Sequence, residues 1–265
     1  MIIVDGFNMA SSTTLSRPRN LLSTGFLVRS LTITLLYVVT ARFGLELSFL
    51  DPYVTLFWPP SGIAMTALLI WGRSMIPAVV FGALIANLST SAHPAFAFAT
   101  ALGNPLGAVV GATLLQKYGG IGSELRTIRH VVSLLVFGAM LGPVPSATIG
   151  VAALWATGSL GQAGLLSTWL GWWVGDGMGI MMIVPLALSW SGRWFSGWSM
   201  TRVVEGGVMM ALVVVVCAGV FMIPLAENEI AHPLTYAVYP MMFWAALRFD
   251  LRGTTLIAVI VGSMA

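Results

Sequence analysis

The sequence predicts an all-α protein, a polytopic transmembrane helical bundle of eight spans plus the start of a ninth. Composition is the first observation: 58% of residues are hydrophobic, 8% are charged and mean hydropathy is +0.93, whereas soluble domains are about 25% charged. The second is recurrence. Apolar stretches lie at roughly 26–41, 55–71, 75–90, 95–115, 131–155, 165–190, 205–224 and 234–247, and another runs over 254–265; most approach the roughly 20 residues needed to cross a bilayer. The third is that basic residues cluster in alternate loops.

Residues 1–22 are polar and mixed, and no small-residue cleavage site follows the first apolar run. They read as a cytoplasmic N-terminal segment rather than a signal peptide, with 23–265 as one integral membrane domain. The second span opens FWPPSGIA. Pro60 lacks a backbone donor and Pro59 disfavours helix before it, so this helix is expected to begin near Ser61, below the membrane surface. Unwound backbone at that depth needs protein or water around it. Trp58 could line such a cavity, or anchor at the interfacial belt. Asn87 lies near the outer end of the third span, where hydration accounts for it as well as a ligand does. The fourth span carries Asn104 within a ladder of Gly103, Gly107 and Gly111. The fifth carries GPVPS, where Pro143 and Pro145 predict a kink, and Tyr239–Pro240 predicts a milder one in the eighth. Both kinks have an equally good structural explanation. Cys217, the single cysteine, reads as packing in an apolar run. The tract at 254–265 stops inside a helix, so the sequence reads as part of a longer protein.

The charges orient the bundle. Arg17, Arg19, Arg73, Lys117, Arg126, Arg129, Arg193, Arg202, Arg248 and Arg252 fall on one side. The opposite loops hold Arg42 with Glu46 and Asp51, and Glu227 with Glu229. By the positive-inside rule the N-terminus is cytoplasmic. The net charge of +3 is therefore topological, and nucleic-acid binding is excluded as its explanation.

Asp176 is the only charge between Gln162 and Arg193. A carboxylate at the bilayer centre costs on the order of 2.5–3.5 kcal/mol, and such residues usually face a bundle interior and serve function. Gly171, Gly175 and Gly179 repeat every fourth position beside it, admitting a close backbone. At about 1.5 Å per residue, Asn104 and Asp176 lie about 14 and about 17 Å below the outer surface. They can meet, and the two glycine ladders favour packing of the fourth span on the sixth. The plain alternative is that amide and acid are glue between helices. A signalling reading adds Trp172, Trp173 and Trp58 as walls. A carboxyl group that gains or loses a proton makes pH one candidate stimulus, and a cationic ligand another.

Enzyme chemistry finds no support in the residues. An intramembrane aspartyl protease needs a second deep acid; residue 174 is valine, and Glu205 reads as interfacial. No phosphate-binding loop or nucleophile motif is present. His93 and His232 each precede proline at a helix start, His130 lies on the opposite side, and no ligand set for a metal emerges. No cofactor is expected. The shared AHP at 92–94 and 231–233 is too short to argue a repeat.

The segments FWPPSGIAMTALLIWGRSMIPAVVFGALIANL, ALGNPLGAVVGATLLQ, WWVGDGMGIMMIVPLAL and YPMMFWAALRFDLRG resemble, in order and spacing, the membrane-associated sensor domain of the first type, the MASE family. The resemblance runs from about Leu45 to the end. The matching positions are Trp58, Pro59, Pro60, Ser61, Gly62, Asn87, Gly103, Asn104, Trp173, Gly175, Asp176, Gly179, Pro185, Tyr239, Pro240 and Arg248. It implies an input module of the bacterial inner membrane, fused to a cytoplasmic histidine kinase or to cyclic-di-GMP enzymes, with any catalysis in those domains. Its ligand would be a small molecule or lipid. The other readings are a substrate-binding subunit of a transporter, and recruitment of a membrane partner or a homodimer through the glycine faces.

Overall fold

The computed structural model describes residues 23–46, 55–90, 93–121, 125, 127–191, 199–222, 236 and 238–264. Among these every regular element is helical. Helix α1 spans Thr24–Glu46, α2 Pro59–Trp71, α3 Ile76–Leu88 and α4 Pro94–Leu114, the last extended by a wide π-turn to Gly119. Then come α5, Ile128–Ser133, with a π-helical continuation through Leu141, and α6, Val144–Ala156. Helix α7 spans Leu165–Trp190 and α8 Met200–Cys217, which ends in another π-turn. Helix α9 spans Val238–Met264.

Among the described residues five helical stretches are long and apolar enough to cross a membrane: Thr24–Glu46, Pro94–Gly119, Ile128–Ala156, Gln162–Trp190 and Met200–Phe221. Pro59–Trp71 and Arg73–Leu88 are apolar but shorter. Helix α2 is the centre of the bundle. It packs on α1, α4 and most extensively on α7, and ten of its thirteen residues are buried. Leu31, Leu102 and Leu166 on surrounding helices are about two-thirds exposed, as apolar side chains facing lipid are.

The ends of the helices follow local chemistry. Trp58 precedes α2, whose first turn is Pro59–Pro60. The helix therefore starts two residues before Ser61, because proline is well placed where the amide would be unpaired anyway. His93 Nδ1 accepts the Ala95 amide at 3.2 Å, so this histidine caps α4. At GPVPS the chain kinks as expected, passing from the π-helical segment through Gly142–Pro143 into α6. The kink expected at Tyr239–Pro240 is absent, because Pro240 falls in the first turn of α9, where proline needs no bond to an earlier carbonyl. Helix α9 is broken instead at Asp250, which has φ 55° and ψ −154°. That is a costly conformation for a residue with a side chain. Arginines clasp the break: Arg202 Nη2 donates to the Arg248 carbonyl at 2.9 Å, and Arg252 Nε to the Ser189 carbonyl at 3.0 Å. Arg248 Nε reaches both oxygens of Glu205 at 2.7 and 2.9 Å. Cys217 is buried between α8 and α9. Residues 1–22, Asp51, Arg126, Arg193, Glu227, Glu229 and His232 lie outside the described residues.

Candidate functional site

Glycines on α7 admit the chain that begins α2. A Cβ on Gly179 would fall on the Trp58 carbonyl oxygen, and one on Gly175 on the Thr55 carbonyl oxygen. Side chains there would push the two backbones apart. With glycine in place the Trp58 amide donates to the Gly175 carbonyl at 3.0 Å. This contact fixes where α2 starts, and one turn on it delivers Ser61 to the face of α7 that carries Asp176.

Asp176 is 1% exposed. The Ser61 hydroxyl donates to its Oδ1 at 2.5 Å, and the Ser146 hydroxyl lies 2.8 Å from Oδ2. Ser146 stands just beyond the Pro143–Pro145 kink, which turns its side chain inward. It is also 3.0 Å from Asn104 Oδ1 and receives the Trp172 indole N–H at 3.2 Å. Asn104 Nδ2 in turn donates to the Tyr37 hydroxyl at 2.8 Å, which also bonds the Trp58 side chain. Tyr37 has no exposed surface. One polar chain thus joins α7, α2, α6, α4 and α1 inside an apolar core.

Counting protons along this chain gives two arrangements, of which only the one with an ionised acid also finds an acceptor on the chain for the Tyr37 hydroxyl proton. A serine hydroxyl has one proton, so Ser146 donates either to Asp176 or to Asn104. With a proton on Oδ2, the acid donates to Ser146, Ser146 donates to the Asn104 carbonyl, and the amide donates to Tyr37. With an ionised acid, Ser146 donates to the carboxylate. The Asn104 amide must then turn over to donate to Ser146, and Tyr37 becomes the donor to Asn104. Amide orientation is assigned from the surrounding network. The two arrangements differ in the direction of the bonds from Asp176 through Ser146 and Asn104 to Tyr37. An unmatched buried donor or acceptor costs about 1–3 kcal/mol, so mixed arrangements are disfavoured.

A family model described as MASE1 matches residues 29–265. The chain belongs to the MASE1 family of membrane-associated sensor domains. No curated protein and no solved structure matches it. MASE1 domains are sensory input modules of signalling proteins and are not themselves catalytic, and this one is a multi-pass membrane protein.

Within the MASE1 domain the expected site residues divide. Asp176, Asn104, Ser61, Trp58 and Trp172 meet in the network, with Pro59 and Pro60 opening the helix that positions Ser61. Trp172 also makes an edge-on contact with Phe96, ring centroids 6.0 Å apart. Trp173 points elsewhere: its indole N–H donates to the Met140 carbonyl at 2.6 Å, and its ring stacks on Trp169. Asn87 donates to the Ala83 carbonyl of its own helix at 2.8 Å. Tyr239 is 55% exposed and stacks on Tyr236. The expected packing of one glycine ladder on the other is corrected. Gly103, Gly107 and Gly111 lie against Ile149, Ser146, Gly142 and Met65, while Gly175 and Gly179 lie against residues 55–59; Gly171 is half-buried. Asn104 and Asp176 consequently share Ser146 rather than bonding each other. Ser146 and Tyr37 carry no signal of their own in the sequence. The former could have been found only by asking what the proline kink presents to Asp176.

Three cavities are lined by residues around Arg29, Arg73 and Asp250. Among the described residues no cluster of His, Cys, Asp and Glu could hold a metal ion.

Proposed function

We propose that this MASE1 domain reads its stimulus through Asp176 and relays it, by exchange of hydrogen-bond partners, to helices that lead to a cytoplasmic histidine kinase or cyclic-di-GMP output domain. The observation that carries the reading is a carboxyl group 1% exposed whose partners are serines of two other helices. Simple helix glue is served more cheaply by neutral groups, whereas an acid at this depth has two charge states to distinguish. The stimulus is a proton, or a small molecule or lipid that changes the charge or partners of Asp176. With both carboxyl oxygens engaged, a ligand has to displace Ser61, Ser146 or Trp172, and binding therefore selects a second packing.

The domain sits in the bacterial inner membrane with eight spans. Its N-terminus and arginine-rich end face the cytoplasm. Family membership favours a sensor over a transporter subunit. The test is signalling by the full-length protein carrying Asp176→Asn or Asn104→Ala, normalised to the amount in the membrane. Both substitutions are expected to shift the set point of the output. Unchanged output in both, at unchanged expression, would sink the proposal.

A further inference from the structure

A cavity of about 190 Å³ opens where the start of α1 meets the turn from α2 to α3, lined by Ser23, Gly25, Arg29, Trp71 and Ser74 among others. Arg29 stands over the Trp71 ring, 5.8 Å from its centroid. Among the described residues it has no carboxylate partner and no hydrogen bond. Two other arginines of this end are engaged: Arg73 Nη2 bonds Thr113 Oγ1, and Arg248 holds Glu205. Arg29 presents its guanidinium donors with an aromatic wall behind it. The Ser23 hydroxyl accepts the Phe26 amide and keeps its own proton to give. Among the described residues none that lines the cavity is acidic. Donors and positive charge without a balancing carboxylate suit an anion, and a guanidinium fork matches phosphate.

The setting narrows the anion further. The same helix carries an apolar, lipid-facing surface: Leu27, Val28 and Leu31 round its flanks are 48%, 56% and 70% exposed, and Leu36, two turns on from Arg29 on the same face, is 45% exposed. We infer that the Arg29–Trp71 cavity binds a phosphate group, that of an anionic phospholipid headgroup whose acyl chains lie along α1. Basic pockets between helices at the cytoplasmic surface hold such headgroups. The site is separate from Asp176 and does not depend on how Asp176 is read.

The experiment uses the full-length protein in nanodiscs of phosphatidylglycerol diluted in phosphatidylcholine, extracted gently and analysed by native mass spectrometry for retained phosphatidylglycerol. Arg29→Gln is expected to lower retention about tenfold, the size of one lost charge-assisted hydrogen bond. Trp71→Leu should lower it too, and Arg73→Gln should not. Equal retention by wild type and R29Q overturns the site. In a second arm, inorganic phosphate is titrated against the protein in phosphatidylcholine-only nanodiscs and followed by phosphorus NMR. Arg29-dependent binding there would support the phosphate chemistry and overturn the lipid as its source; no binding supports the lipid.

Discussion

Asp176, Ser146 and Asn104 are joined in one chain because a single hydroxyl stands between the acid and the amide. This predicts different outcomes for similar truncations. Asp176→Asn retains an acceptor for Ser61 and supplies a donor for Ser146, so its stability against unfolding in detergent should stay within about 1 kcal/mol of wild type. Ser146→Ala removes the bridge while leaving both neighbours buried, and should cost about 1–3 kcal/mol. The burial of Asp176 is legible in the sequence, since an isolated acid in an apolar run must lie inside the bundle. Its partners are not: serine and tyrosine are ordinary residues, and only the tertiary arrangement places Ser61, Ser146 and Tyr37 around one path.

At the scale of elements, glycine on α7 is a matter of backbone approach rather than flexibility. Gly179→Ala would place a methyl group on the Trp58 carbonyl, displacing α2 and Ser61 with it. It should abolish the native fold or the Ser61–Asp176 contact, as judged by loss of the monodisperse detergent-solubilised protein. Gly207→Ala on α8 meets nothing within 4 Å, and should be neutral or stabilising by up to about 1 kcal/mol through helix propensity. The helices themselves follow from apolar run length. The ladders' partners do not, because a glycine every fourth residue says that something comes close without saying what. The break in α9 was missed for a related reason: Tyr239–Pro240 draws attention as a proline, whereas Asp250 has a residue type that gives no warning of φ 55°.

Across the whole molecule, α2 is an almost fully buried helix surrounded by the others, and the network runs from it through α7, α6 and α4 to α1. On the proposed reading, a change of charge at Asp176 is felt in the packing of the helices that the network joins. The basic end groups Arg29, Arg73, Lys117 and the arginines around the α9 break. If it faces the cytoplasm, Gln116→Cys should react with an impermeant maleimide only in inverted vesicles and Ser159→Cys only in intact spheroplasts; the reverse labelling would invert the topology. Membership of the MASE1 family, with its match over residues 29–265, makes the domain an input module. The most direct measurement is a double-mutant cycle on the output of the full-length protein, comparing Asp176→Asn, Asn104→Ala and the two combined. Residues linked through one shared proton should be strongly non-additive, with the double variant close to one of the singles. Additive shifts, or none, would show that Asp176 and Asn104 do not signal as one unit.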